Sequence, residues 1–303
     1  MRDCVAPLAT TPLGTFYDFH QYTTIPIFHY SDSILMVRTI FVWFCIVVAT
    51  LVLGFLSFLT YPFDRKGRVV HRYARFWGRI ALMANRVRVI IEGTEHLNGE
   101  GPYLFMSNHQ GIYDIFALLG HLPFQFKWLA KKELFSVPFL GWTMAAAGYI
   151  SVDREGTRAT VEAMNEAALR IRDGMSVVIF PEGARSPDGS VQPFKKGGFT
   201  LAIKSKVPIV PVTITGSREI MPKDRWTATS GEIRLRVGHP IETRHCSLKD
   251  RNFLMERVRQ TIIENFGLPG ASPGGPALPA CGGQAKGLLS QNDEVDPGAQ
   301  FRK

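Results

Sequence analysis

The sequence has few cysteines and no Cys/His spacing typical of a metal site, and its central part has no motif typical of a serine nucleophile. It has only four cysteines, with no Cys-x-x-Cys pair and no spacing to histidine that would form a set of metal ligands. We therefore predict no metal site. Residues 87–267 contain no Gly-x-Ser-x-Gly elbow, the turn that presents the nucleophile in many lipid hydrolases. A hydrolase of that class is therefore disfavoured.

One basic segment contains no acidic residues and accounts for much of the formal net charge of +9. Between positions 65 and 88 there is no Asp or Glu, and the basic residues are Arg65, Lys66, Arg68, Arg72, Arg75, Arg79, Arg86 and Arg88. A basic segment beside an apolar helix favours anionic lipid headgroups and the cytoplasmic face of a membrane. Nucleic acid is the rival partner, but no recognisable nucleic-acid-binding module accompanies the charge, so we predict none.

Charge of either sign is absent from Thr39 to Thr60, where the residues are almost all apolar. A run of this length can cross a bilayer as a helix, and a buried core helix is the alternative. A cleaved signal peptide is disfavoured, because the run continues into Tyr61-Pro62-Phe63 rather than a small-residue cleavage site. We predict a membrane-anchoring helix here.

The chain divides into four predicted parts. Residues 1–35 are rich in Thr, Pro and aromatic residues and have no clear period, so we predict an irregular extension. Met36 lies just before the uncharged run, and our hypothesis is that translation starts there. Residues 36–86 form the membrane-anchor and amphipathic helices, 87–267 a catalytic domain, and 268–303 a disordered tail rich in Gly, Pro, Ala and Ser.

An amphipathic helix is predicted at residues 68–85, because apolar side chains recur there every three or four positions. Two interpretations stay open. A basic, aromatic amphipathic helix can lie in the membrane interface. The same helix can instead pack on the catalytic domain, with its arginines in water.

The catalytic domain shows strand patterns alternating with helix patterns. The predicted strands are Val87–Ile91, Tyr103–Ser107, Gln125–Leu129, Tyr149–Val152, Ser176–Phe180, Ile209–Thr215 and Ile233–Val237. The predicted helices lie near Ile112–Leu119, Gly141–Ala147, Arg158–Arg172 and Gly197–Lys206, with a closing helix at 248–266. This alternation predicts a layered α/β fold with a sheet flanked by helices.

His109 and Asp114 form the first candidate site. Residues five apart on one helix do not share a face, so the pair needs His109 in the loop after a strand and Asp114 in the first turn of the next helix. Asp114 would then accept a hydrogen bond from Nδ1 of His109 and fix its tautomer. Nε2 would be free to take a proton from a substrate hydroxyl.

His-x4-Asp is a weak pattern by itself, and the chain contains it twice. His245 and Asp250 form the second match, but Ser247 and Asp250 also have the spacing of a helix capping pair. We interpret the second match as a helix cap and the first as the site.

The segment Phe180–Ser186 is the second candidate site, because it follows an apolar strand. Pro181 and Gly183 predict a sharp turn around Glu182, at a strand end where ligands collect in α/β sheets. Arg185 would lie beside the site, where a guanidinium suits bidentate phosphate binding. A plain exposed turn is the alternative for this stretch alone.

Three further cations follow strand ends or open a helix. Lys195, at the start of a helix, would add to an anion site. Arg154 would bind the same phosphate or pair with Asp153 or Glu155. Lys131 or its neighbour Lys132 would face a phosphate, and the sequence leaves the choice between them open.

At these residues the chain resembles the glycerolipid acyltransferases, specifically the 1-acyl-sn-glycerol-3-phosphate acyltransferases. Four blocks match in order. They are Asn108, His109 and Asp114; the apolar strand Tyr149–Arg154; Phe180–Ser186, with Ala184 where the family has Thr; and the proline-containing strand at Val207–Val212. The resemblance covers roughly residues 36–245.

The resemblance implies a glycerolphosphate acyltransferase-like mixed sheet behind a membrane-anchoring helix. It implies transfer of an acyl chain from acyl-CoA or acyl-carrier protein to the free hydroxyl of a lysophospholipid, with no metal or other cofactor. His109 would be the base and Asp114 its orienting group. Glu182, Gly183 and Arg185 would shape the acceptor site, and Arg154 would assist at the phosphate.

Two alternatives remain at this level. One is an acyltransferase for a different lysophospholipid or a lyso-aminolipid, because Ala184 removes a hydroxyl that the family has near the acceptor. The other is a non-catalytic membrane-bound adaptor, which would have no reason to keep His109, Asp114 and Arg185 together.

Overall fold

The structure is a computed structural model that describes residues 27–64, 66–97, 99, 101–152 and 158–267. The predicted tail at 268–303 and the predicted phosphate ligand Arg154 therefore lie outside the described residues, as do residues 1–26. The translation start at Met36 and the four-part division of the chain stay predictions.

All seven predicted strands are present, with ends that differ by no more than two residues from the prediction. They are β1 (Val87–Glu92), β2 (Leu104–Ser107), β3 (Phe126–Lys131), β4 (Ile150–Val152), β5 (Ser176–Ile179), β6 (Ile209–Thr215) and β7 (Gly231–Val237). They form one 7-stranded sheet in the order β1-β7-β6-β2-β5-β3-β4. Every neighbouring pair is parallel except β6 and β7, so the sheet is mixed.

The helices flank this sheet in the predicted places. They are α1 (Ile27–Thr60), α2 (Arg68–Ala84), α3 (Tyr113–His121), α4 (Leu140–Ala146), α5 (Arg158–Arg172), α6 (Lys196–Ser205), α7 (Ser217–Ile220) and α8 (Arg251–Phe266). Only the short α7 has no counterpart in the sequence analysis. The layered α/β fold is thereby confirmed.

A separate hydrophobic core lies on each face of the sheet. Strand β2 shows the division, because Leu104 and Met106 belong to one core and Phe105 to the other. Successive side chains of a strand point to opposite faces, so a central parallel strand must be apolar throughout. Helices α2 and α3 cover the core that holds Phe105, and helices α5, α6 and α8 cover the other.

Helix α1 is longer than the uncharged run. It begins at Ile27, inside the segment predicted to be irregular, and that prediction is wrong for residues 27–35. The sequence has no proline between Ile27 and Thr60, so nothing in the backbone interrupts the helix. Only 28% of the most apolar stretch of this helix is buried, which disfavours a core helix. The helix is long and apolar enough to cross a membrane.

Helix α2 packs on the domain along one face and exposes the other. The Asp64 carboxylate accepts hydrogen bonds from the backbone N–H groups of Arg68, Val69 and Val70, which caps the start of α2. Gly78 lets α2 approach α3 closely, since a Cβ at that position would lie 2.8 Å from the backbone oxygen of Phe116. The packing of α2 on the domain is therefore confirmed, and its position in a membrane interface stays a prediction.

The turn between α1 and α2 is fixed to the sheet by a buried lysine. Lys127 on β3 donates from Nζ to the backbone oxygens of Lys66, Gly67 and Ala147. Burial lowers the pKa of Lys127 to about 8. These three bonds join the two N-terminal helices and the end of α4 to the strand that leads to the site.

The second His-x4-Asp match is a helix cap, as the sequence predicted. Asp250 accepts a hydrogen bond from the backbone N–H of Ser247 at 2.8 Å, and the Ser247 hydroxyl accepts one from the N–H of Lys249. His245 is exposed and takes no part in this cap.

Candidate active site

The site lies at one edge of the sheet, where parallel strands end together. His109 follows β2 by two residues, Lys131 ends β3, and Phe180 follows β5 directly. Strands β2, β3 and β5 are parallel neighbours, so their carboxyl ends share an edge. Residues far apart in the sequence therefore converge at this edge, as in other open α/β sheets.

His109 and Asp114 contact each other as the sequence predicted. Nδ1 of His109 lies 2.7 Å from Oδ2 of Asp114, and Asp114 is fully buried in the first turn of α3. The same oxygen accepts the backbone N–H groups of Gln110 at 2.6 Å and Gly111 at 2.9 Å. With Nδ1 donating to the carboxylate, Nε2 carries the free lone pair that a base needs.

Two aromatic rings hold the imidazole from one side. The ring of His109 stacks on Phe180 with centroids 3.9 Å apart and an angle of 10° between the planes. Phe180 in turn stacks on Trp128, with centroids 5.4 Å apart. The imidazole is therefore fixed by a carboxylate at its edge and an aromatic face against its plane. Sequence reasoning placed Phe180 in a strand and missed this contact.

Asn108 fixes the same loop to strand β6. Its Nδ2 donates to the backbone oxygen of Ile214, and its Oδ1 accepts from the backbone N–H of Ile214, both at 2.8 Å. The side-chain amide thus makes the two hydrogen bonds to β6 that backbone groups of β2 would have made if the strand continued. A buried Asn that satisfies both groups of one residue holds the position of the next residue, His109, very firmly.

Glu182 supports the His109 loop from behind. Its Oε1 accepts the backbone N–H of His109 at 2.8 Å, and its Oε2 accepts the N–H of Gln192 at 3.2 Å. Its side chain is buried, and it is not among the residues that line the cavity described below. Sequence analysis grouped Glu182 with the residues that shape the acceptor site, and in the structure its contacts are with backbone.

Burial raises the pKa of Glu182 to about 7, although hydrogen bonds from His109 and Gln192 act in the opposite direction. A carboxyl group whose pKa is higher in the folded state stabilises the fold fully below its unfolded pKa, near 4.5. This contribution is lost as the pH rises through about 7, because the unfolded state then binds fewer protons.

We expect Glu182→Gln to flatten the pH dependence of stability. The wild-type protein should lose a few kcal/mol at most between pH 4.5 and pH 7 from this group, and the variant should not. Thermal unfolding in detergent at several pH values measures this slope. Glu264→Gln on the exposed face of α8 is the control that should keep the wild-type slope. An unchanged slope in Glu182→Gln would contradict the assignment.

Gly183 and Lys195 lie against each other in the turn after β5. Gly183 has φ 75°, and a Cβ at that position would lie 3.0 Å from Cε of Lys195. The backbone conformation therefore favours glycine here, and a Cβ would also displace the end of the Lys195 side chain. The N–H of Lys195 donates to the backbone oxygen of Pro181 at 2.8 Å, which closes the turn.

Arg185 and Lys131 are the predicted cations that reach the cavity wall. Arg185 is half-buried and forms no hydrogen bond or ion pair with any residue that the structure describes. Lys131 is paired with Glu133 at 2.6 Å, across an exposed surface where such a pair is weak. An anionic ligand would therefore compete for Lys131 at little cost.

A cavity of about 620 Å³ opens beside His109. Its walls come from α1, α2, α3, α4 and β3 and are mainly apolar, with Trp77, Phe116 and Met144 among the lining residues. The ionisable residues His109, Lys131, Arg185 and Lys223 also line it. Lys223 is a residue that sequence reasoning missed, since no motif surrounds it.

A histidine held by a buried carboxylate beside an apolar cavity with several cations is typical of enzymes that transfer groups to or from lipids. Comparison with known proteins narrows this class. The family model described as Acyltransferase matches residues 88–215. A 1-acyl-sn-glycerol-3-phosphate acyltransferase of Limnanthes alba is 34% identical over 78% of this chain and 86% of that protein. The chain therefore belongs to the 1-acyl-sn-glycerol-3-phosphate acyltransferase family.

Further relatives agree. The chloroplastic protein BAT2 of Brassica napus and the human alpha protein, both named 1-acyl-sn-glycerol-3-phosphate acyltransferases, are each 34% identical, over 74% and 59% of this chain. The chain spans slightly under two thirds of their lengths, 66% and 64%. The crystal structure of the acyltransferase PlsC from Thermotoga maritima superposes with a TM-score of 0.66 at 27% identity, covering 79% of this chain and 99% of that one.

Proposed function

We propose that this protein transfers an acyl chain from a thioester to the sn-2 hydroxyl of 1-acyl-sn-glycerol-3-phosphate, giving phosphatidic acid. One observation carries the proposal. Nδ1 of His109 is held by Asp114 at 2.7 Å while His109 also lines a mainly apolar cavity with cations around it. This arrangement supports the proposal, because the reaction needs a base, an anion site and a cavity that can hold a lipid.

The reaction follows from the free Nε2 of His109. Nε2 takes the proton of the acceptor hydroxyl as its oxygen attacks the thioester carbonyl carbon. The tetrahedral intermediate collapses, the carbon–sulfur bond breaks, and the thiolate leaves with the proton from the imidazolium. Asp114 stabilises that imidazolium while it exists. No Ser or Cys is among the described lining residues, which favours direct transfer over an acyl-enzyme intermediate.

The cations are the proposed partners of the acceptor phosphate. Arg185 contributes a planar guanidinium that suits bidentate phosphate binding. Lys131 and Lys195 add positive charge near the same turn, and Arg154 is proposed as a further ligand. The co-substrate is acyl-CoA or acyl-carrier protein, and we propose that no metal or other cofactor takes part.

We propose that α1 anchors the enzyme at the cytoplasmic face of a membrane. One face of the helix packs against the domain through Thr39, Val42, Ile46, Leu53 and Ser57. The rest of its surface is apolar and largely exposed, and the helix is long and apolar enough to cross a bilayer. These exposed side chains can contact lipid.

A panel of acceptors tests the proposal. Detergent-purified protein should transfer a labelled chain from acyl-CoA or acyl-carrier protein to lysophosphatidate, and much less to lysophosphatidylcholine, lysophosphatidylethanolamine or a lyso-aminolipid. Product on another acceptor alone would keep the chemistry and refute the substrate. Absence of product with both donors and every acceptor would refute the enzyme and favour the adaptor.

A further inference from the structure

Lys223 belongs to a segment that closes on itself. The loop after α7 is closed at Thr229, whose N–H donates to the backbone oxygen of Ile220 at 2.9 Å and whose hydroxyl donates to that of Glu219 at 2.8 Å. Within the loop, the N–H of Arg225 donates to the backbone oxygen of Pro222. Residues 221–228, which we name the headgroup loop, therefore have a fixed base and an internal turn.

The headgroup loop is fastened to helix α1 by three hydrogen bonds. Arg38 donates to the backbone oxygen of Ala228 at 2.7 Å, and the N–H of Ala228 donates to the hydroxyl of Thr39 at 3.2 Å. The indole of Trp43 donates to the backbone oxygen of Trp226 at 3.1 Å. The loop is thus fixed to the helix that we propose as the membrane anchor, and its Trp226 is half-exposed.

The segment also packs directly on the His109 loop. A Cβ at Gly111, two residues after His109, would lie 2.9 Å from the backbone oxygen of Ser217 and 3.0 Å from that of Met221. Only glycine permits this approach. The start of the headgroup loop therefore lies against the loop that carries the base.

Lys223 itself lines the cavity together with His109 and Arg185, and its side chain is exposed. It makes no hydrogen bond or ion pair with any residue in the described part of the chain. Lys131, the other lysine on the cavity wall, already has a carboxylate partner at 2.6 Å. Lys223 is thus a cation at the substrate cavity whose charge no described side chain neutralises.

We propose that Lys223 binds the phosphate of the acceptor and so selects acceptors with an unsubstituted phosphate. The inference rests on the proposed function. A phosphate monoester carries more negative charge than the diester of a choline or ethanolamine lipid, and a lysine responds to that charge. The donor acyl-CoA also carries phosphates, but the bonds of this loop to α1, the proposed membrane anchor, favour a membrane lipid as the ligand of Lys223.

Steady-state kinetics with Lys223→Gln tests this role, and Arg225→Gln is the matched control. Arg225 lies in the same loop and is exposed, but it does not line the cavity. We expect Lys223→Gln to raise the KM for lysophosphatidate about tenfold, with kcat and the KM for acyl-CoA within about twofold of wild type. Lys223→Arg should restore much of the affinity, and Arg225→Gln should behave like wild type.

Selectivity provides the second measurement. The ratio of kcat/KM for lysophosphatidate to that for lysophosphatidylcholine should fall in Lys223→Gln and stay unchanged in Arg225→Gln. Equal effects of the two substitutions, or a higher KM for acyl-CoA alone, would overturn the role of Lys223 while an active wild type keeps the proposed function. A wild type that does not use lysophosphatidate would refute both.

Discussion

His109→Ala abolishes acyl transfer while the protein stays folded: this is the first expected result. Loss of a general base lowers turnover by about 10²- to 10⁴-fold, and the described residues that line the cavity include no second His and no Asp or Glu. The fold should survive, because the loop is held through backbone. The N–H of His109 still donates to Glu182, and the N–H of Ser186 still donates to the backbone oxygen of residue 109.

His245→Ala is the matched control for this experiment. His245 occurs in the same His-x4-Asp pattern but is exposed, and its Asp250 caps a helix. Turnover of lysophosphatidate, thermal unfolding and vesicle binding should be measured for both variants. Near-normal turnover in His109→Ala, or a dead His245→Ala enzyme, would contradict the assignment of the base.

Asp114→Asn should have the second largest effect, through the charge beside His109. The Oδ2 atom of Asp114 accepts from His109, Gln110 and Gly111. An asparagine whose amide oxygen takes the Oδ2 position keeps these three donors, but it has no negative charge. The imidazolium that forms when His109 takes the proton then loses its stabilising partner. We expect kcat to fall by about 10²- to 10⁴-fold with little change in either KM.

Comparison of Asp114→Asn with Asp114→Ala separates an effect on catalysis from a loss of stability. Asp114→Ala removes the acceptor for two buried backbone N–H groups and should lower the melting temperature, whereas Asp114→Asn should keep it near wild type. A stable Asp114→Asn enzyme with activity within tenfold of wild type would show that the negative charge of Asp114 is not needed for catalysis.

Local patterns were sufficient for much of the fold. The seven strands are short apolar runs between turn residues, and strands with both faces buried look this way in any parallel sheet. The error at Phe180 has a clear cause. Pro181 has no N–H for the ladder, so β5 ends before it, and the ring of Phe180 is released to stack on His109.

The His109–Asp114 pair was predictable because its partners are five residues apart and a strand–loop–helix turn limits their geometry. The role of Glu182 was not, because its partner His109 is 73 positions away and the contact is to backbone, which carries no sequence signal. Lys223 escaped notice for a similar reason. Its position depends on the hydrogen bonds between the loop after α7 and helix α1. One of them joins Trp43 to Trp226, which are 183 positions apart in the sequence.

The loop that carries His109 has its amides bound in succession. The N–H of His109 is held by Glu182, and those of Gln110 and Gly111 by Asp114, all by buried carboxylates. The conformational entropy of ordering this loop is therefore lost once, when the chain folds, and not again in each catalytic cycle. Substrate binding energy remains free for orienting the two lipid substrates, because none of it is needed to assemble the base.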